Sequence, residues 1–193
     1  MSRMRTLGLG VLATAVLFGA AACSKSDDSA KKSDRAPISF ADPPEGSMDL
    51  GLCYAYNTDQ IKELIGGEET FKRLPPAAIG TEKDKVHGES CAWERTEPNG
   101  DAASLRIEVR DFGDDAAGLL SQYAALKEGT LGATDVEGLG DGAFSSESDE
   151  TSLLQVKSGP YLLTLSSRAE GELEPVDLAA LQLLAASGLD KIQ

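Results

Sequence analysis

Residues 91–110 read Cys91-Ala-Trp-Glu-Arg-Thr-Glu-Pro98-Asn-Gly-Asp101-Ala-Ala-Ser-Leu105-Arg-Ile-Glu-Val-Arg110. In an extended chain, Leu105, Ile107 and Val109 fall on one side and Arg106, Glu108 and Arg110 on the other. That period of two marks a strand with one buried face and one wet face. Asn99-Gly100 stands just ahead of it, and both residues accept the positive φ that tight hairpin turns require. Cys91-Ala-Trp93-Glu-Arg95 begins the partner strand. A hairpin rather than a crossover joins the two, so the sheet they start is antiparallel.

On the N-terminal side of this hairpin, Thr58 to Gly66 predicts a short helix. Thr58 caps it, Ile61, Leu64 and Ile65 form the i, i+3, i+4 stripe, and Gly66 ends it. Gly66 to Gly88 contains Pro75 and Pro76 among scattered charges and reads as a long irregular excursion. Asp114 and Asp115 open a second helix through Leu119, Leu120, Tyr123 and Leu126 to Gly129. Acids at its start and Lys127 near its end suit the helix dipole. Val136 precedes the turn-rich Gly138-Leu-Gly-Asp-Gly142, and Ser152–Lys157 and Tyr161–Ser167 read as strands joined at Ser158-Gly159-Pro160. Pro175 begins a final helix with Leu178, Leu181, Leu184 and Ala185 on one apolar face. The order helix-strand-strand-helix-strands-helix predicts an α+β fold, a mainly antiparallel sheet flanked by helices. A helix followed by a hairpin occurs twice, a repeat of order in which the residues barely match.

The N-terminus carries an address. Arg3 and Arg5 precede a charge-free run from Leu7 to Ala22, 16 residues long, that ends in Gly19-Ala-Ala-Ala22 before Cys23. A positive start, a short apolar core and a small-residue exit are the parts of a secretory signal peptide, and the run is too short to span a bilayer. A plain signal peptide would satisfy this pattern. Cys23, followed at once by a polar stretch, instead resembles a bacterial lipobox, with Ala20 where Leu is usual. The resemblance implies that Cys23 is diacylated by palmitate-type chains and becomes the first mature residue. Two acyl chains are enough for stable anchoring. The expected organisation is a signal peptide over 1–22, a disordered tether over 23–48 and one domain over 49–193. Ser24 to Ser47 holds Ile38 and Phe40 as its only large apolar residues, too little to offset the entropy of ordering it. A flexible chain of that length spans about 25–30 Å.

The whole chain of 193 residues has 18 basic and 32 acidic side chains, a net charge of −14 that becomes −16 once Arg3 and Arg5 are removed with the signal. Such a balance argues against a nucleic-acid partner. The acidic body would also be repelled by anionic lipid and anionic polymers, from which the tether lets it stand clear. A single histidine excludes paired-histidine zinc motifs. With Cys23 acylated, Cys53 and Cys91 remain, and an even pair in an exported chain points to a disulfide, two unrelated buried thiols being the alternative.

Candidate chemistry mostly dissolves. Asp111-Phe-Gly113 spells the kinase metal-binding tripeptide without a catalytic loop or a phosphate loop around it. Gly138-Leu-Gly-Asp-Gly142 lacks dinucleotide spacing and reads as a tight turn. His87 has no nucleophile partner. The acidic run Ser145 to Glu150 lacks calcium-loop spacing and reads as a solvated hairpin tip. Trp93 is expected to pack beside the disulfide, with lining of a ligand groove as the alternative. No cofactor and no metal site is expected.

Cys53 ahead of Asn57-Thr58-Asp59, the Cys91-Ala-Trp93 strand and the Gly138-Leu-Gly-Asp141 turn, behind a lipobox and tether, resemble a group of actinobacterial secreted lipoproteins that share a domain of unassigned function. The resemblance covers residues 49–190 and implies the Cys53–Cys91 pairing and a sheet flanked by helices, with no catalytic residues. The element order is also loosely similar to small envelope lipoproteins of the Mog1/PsbP-like type, an analogy of fold alone. The expectation is a non-catalytic lipoprotein on the outer face of the membrane, held through Cys23 and binding an envelope protein or other component. The alternatives are a carrier of an apolar ligand between sheet and helices and, less favoured, a hydrolase using carboxylates.

Overall fold

The computed structural model describes residues 52–67, 70–80 and 85–192. The signal segment 1–22, Cys23 and the tether 23–48 lie outside the described residues. The elements run α1 (Leu52–Ala55), α2 (Thr58–Ile65), β1 (Phe71–Arg73), β2 (Ala77–Ile79), β3 (His87–Thr96), β4 (Ala102–Asp111), α3 (Ala116–Gly129), β5 (Thr134–Val136), β6 (Gly142–Glu147), β7 (Thr151–Ser158), β8 (Tyr161–Glu170) and α4 (Leu178–Ile192). The strands form one sheet in the order β1-β3-β4-β8-β7-β6-β5, with β2 also on β3, and every one of these pairings is antiparallel. The class is α+β, and the β3–β4 hairpin turns over residues 97–101, where the Gly100 N–H donates to the Glu97 carbonyl at 2.9 Å and Gly100 takes a φ of +97°.

The main core lies between the sheet and α1, α2 and α4. Leu105, Ile107 and Val109 of β4, Trp93 of β3 and Leu163 and Leu165 of β8 are fully buried there. Leu181, Leu184 and Ala185 of α4 and Ile61 and Ile65 of α2 meet them from the helical side. A second, smaller cluster of Phe112, Leu119 and Leu162 seats α3 on the opposite face of the sheet. Alternation along β8 decides this split, because Leu162 points one way and Leu163 the other.

Several sequence expectations need correction. The excursion 66–88 contains two strands, β1 and β2, which lie end to end along β3. Leu74-Pro75-Pro76 separates them, since proline has no N–H to give a ladder and breaks an edge strand. A one-turn helix, α1, precedes the predicted first helix. The cap of α2 is Asn57 rather than Thr58: its Oδ1 accepts from the N–H groups of Asp59 and Gln60. Ser145 to Glu147 is not a hairpin tip but the end of β6, with Ser145 buried, and the tip is confined to residues 148–150. The last helix begins at Leu178, three residues beyond the expected start at Pro175, and is capped by Asp177, whose Oδ1 accepts from the Ala180 N–H at 2.7 Å. The strand and helix order is therefore matched only in part.

Candidate functional site

The two sheet faces are covered unequally. Away from α3, the outward positions of β3, β4 and β8 carry small or hydroxyl residues such as Ser90, Ala92, Ser104 and Ser166, all half-buried and outside both apolar clusters that seat the helices. Between them stand longer charged side chains. Register places Ser104 of β4 opposite Arg168 of β8, and Arg106 opposite Ser166. Arginine and serine thus alternate across the two central strands. Diagonal neighbours in such a ladder are about 7–8 Å apart, within joint reach of two guanidinium groups.

Charge is distributed unevenly too. Residues 49–193 contain 12 basic and 27 acidic side chains. The outward positions of β1, β3, β4 and β8 hold four of the basic ones (Lys72, Arg106, Arg110, Arg168) and three of the acidic ones (Glu94, Glu108, Glu170). The other described residues carry seven basic against 19 acidic side chains, a net −12, while this face is at +1. Arg110 is paired with Glu108 at 2.6 Å and Arg168 with Glu170 at 3.0 Å. Arg106 is exposed and makes no hydrogen bond or ion pair among the described residues. A depression of about 280 Å³ opens on the same face, lined by Glu94, Thr96, Ala102, Ser104, Arg168 and Glu170.

The residues singled out in the sequence take these places. Cys53 and Cys91 form a disulfide that ties α1 to β3. Trp93 is fully buried in the main core, edge-on to Tyr56 with ring centroids 6.0 Å apart, and not on the open face. His87 is the exposed first residue of β3, opposite Asp111 of β4. Asp111 Oδ1 accepts from the Gly113 N–H at 2.8 Å, so the Asp-Phe-Gly tripeptide is a turn that delivers Phe112 to the cluster under α3. Asp141 of the glycine-rich turn accepts from the Gly159 N–H at 2.7 Å, binding one hairpin turn to another. Gly140 there has φ +57°, and a Cβ would lie 2.5 Å from the Lys157 carbonyl oxygen, so only glycine fits. Glu147 of the acidic run accepts from the Leu178 N–H at 3.3 Å, at the start of α4. Among the described residues, no group of three His, Cys, Asp or Glu side chains is placed to hold a metal ion, and no helix is long and apolar enough to cross a membrane.

One buried charged group escaped the sequence. Glu89 is 1% exposed on the core side of β3, in phase with Cys91 and Trp93. Its Oε2 accepts from the Leu52 N–H at 2.9 Å, while Oε1 is without a partner. Burial pushes its carboxyl above the usual range, opposed by the backbone N–H groups of Cys53 and Leu52 and by the Arg73 charge. Arg73 also donates to the Cys53 carbonyl at 2.7 Å. The period-two phase of Cys91 and Trp93, extended back two residues, was the signal that could have found it. Trp93 Nε1 is likewise buried without a partner.

Comparison with protein-family models, with curated proteins and with solved structures gives no match for this chain.

Proposed function

We propose that the chain is an exported lipoprotein, processed before Cys23 and held on the outer face of the membrane by a diacylated cysteine. A tether then presents the folded domain, which acts as a non-catalytic binding module for a component of the cell envelope. The Cys53–Cys91 disulfide is the observation that carries export, because structural disulfides persist in oxidising compartments outside the cytosol. The lipobox-like order of Gly19-Ala-Ala-Ala22-Cys23 supports the anchor.

Binding rather than catalysis is favoured by where the chemistry-bearing residues stand. Asp111, Asp141 and Glu147 are each engaged in turns or helix starts, and Cys53 and Cys91 in the disulfide. The open face of β3, β4 and β8 offers a polar surface of different charge from the rest of the domain. Fractionation of cells expressing the full chain tests the anchor. Cys23→Ala is expected to move the protein out of the membrane fraction or to leave an unprocessed precursor. Membrane retention with normal processing would contradict lipidation.

A further inference from the structure

We propose that Arg106 and Arg168, with the hydroxyls of Ser104 and Ser166, form a binding site for a phosphate ester. This deepens the binding-module reading and rests on it. Three observations converge on the site. The register sets two arginines and two serines at the corners of one square on the central strands β4 and β8. Arg106 is exposed and unpaired among the described residues, in a domain where acids outnumber bases by more than two to one and compensation would be easy. A depression of about 280 Å³ on the same face is lined by Ser104 and Arg168, and Arg106 and Ser166 follow two positions along the same two strands, outside its lining.

The donor set selects phosphate over carboxylate. One guanidinium satisfies a planar carboxylate with two parallel N–H donors. Two guanidinium groups and two hydroxyls offer more donors, arranged around a point rather than in a plane, which suits a tetrahedral group with several oxygens. The outward positions of β3 and β4 carry none of the large aromatic and aliphatic anchors on which protein–protein hot spots depend, and the large apolar neighbour of the square is Leu153 of β7, opposite Ser166. Small residues such as Ala92 and Ala102 instead let a slender polar chain lie close to the backbone. The acidic body does not forbid this, because charges more than a Debye length away, about 8 Å at physiological ionic strength, are largely screened. Glu94 and Glu170 line the same depression and oppose an anion there, Glu170 through the 3.0 Å pair it makes with Arg168.

The shared chemistry is a phosphate ester, and its source is either an envelope polymer or a lipid headgroup. Calorimetric titration of the detergent-solubilised full chain with short-chain inorganic polyphosphate, with phosphatidylglycerol vesicles and with poly-glutamate distinguishes them. Saturable binding of polyphosphate that persists at physiological salt is expected, weakened about tenfold by Arg106→Ala and by Arg168→Ala, as befits loss of a charge-assisted contact. Arg106→Lys should restore part of the loss, and Glu94→Gln should tighten binding, a gain that a merely structural role would not produce. Vesicle binding that Arg106→Ala and Arg168→Ala both weaken, with none of polyphosphate, would also support the site and make the headgroup its source, because insertion of the acyl chains is common to all three proteins. Absence of binding to both phosphate probes, equal binding by wild type and both alanine variants, or tighter binding of poly-glutamate would overturn the proposal. Arg106 has no described partner, so its variants should melt with the wild type. Binding in solution does not depend on Cys23, so failure here and failure of the anchor are separate results.

Discussion

The Glu89 carboxylate accepts a hydrogen bond from the Leu52 backbone N–H at 2.9 Å, across 37 positions of sequence. The contact fixes the start of α1 to β3, two residues along the strand from the disulfide that does the same covalently. Arg73 closes the group by donating to the Cys53 carbonyl. The start of α1 is thus held by a covalent bond, a buried carboxylate and an arginine.

That buried carboxylate makes stability depend on pH. Folding raises the Glu89 carboxyl above its ordinary value, so the folded state keeps a proton that the unfolded chain has lost over a window starting near the usual glutamate range. Its contribution to stability is fully present below that range and falls as pH rises through the folded value. Glu89→Gln retains an acceptor for the Leu52 N–H without the charge. The variant is expected to gain stability relative to wild type between mildly acidic and neutral pH in denaturant melts, and to lose the gain at low pH. A variant less stable at every pH would contradict this.

The disulfide closes a loop of 38 residues, for which chain entropy gives about 4 kcal/mol. Replacing both Cys53 and Cys91 by alanine should lower stability by about that amount, read from the denaturant midpoint at unchanged slope. A loss under about 1 kcal/mol would mean that Glu89 and the core packing already hold α1 in place.

Capping of α2 belongs to Asn57, so Asn57→Ala should cost about 1 kcal/mol and Thr58→Ala only a few tenths. Equal effects of the two substitutions would return the cap to Thr58.

Trp93 and Arg106 face opposite sides of the sheet, one fully buried and the other exposed. Trp93→Ala should cost about 3–5 kcal/mol in thermal or chemical melts, whereas Arg106→Ala should stay within about 0.5 kcal/mol. A strongly destabilised Arg106→Ala would show that Arg106 serves the fold rather than a ligand.

The hairpin at residues 91–110 was legible because one side of each strand is buried and the other wet, so Leu105, Ile107 and Val109 alternate with charges. β6 was not legible. Ala143, Phe144 and Ser145 are all buried, because the α4 side covers 143 and 145 while Tyr123 of α3 lies 5.3 Å from the Phe144 ring on the other. A strand covered on both faces loses its alternation. β1 and β2, three residues each, are too short to show any period. The Arg106–Ser166 and Ser104–Arg168 pairs were hidden for another reason: each joins strands 60 or more positions apart, and register between distant strands is set by the packed sheet rather than by either segment.

The mass of the intact protein, extracted from the membranes of an expressing bacterial host and measured before and after reduction, tests the anchored, disulfide-closed state most directly. The expected mass is that of residues 23–193 carrying a diacylglyceryl group, rising by two hydrogens on reduction as the Cys53–Cys91 bond opens. A mature chain that begins elsewhere or lacks the lipid, or two free thiols before reduction, would contradict it.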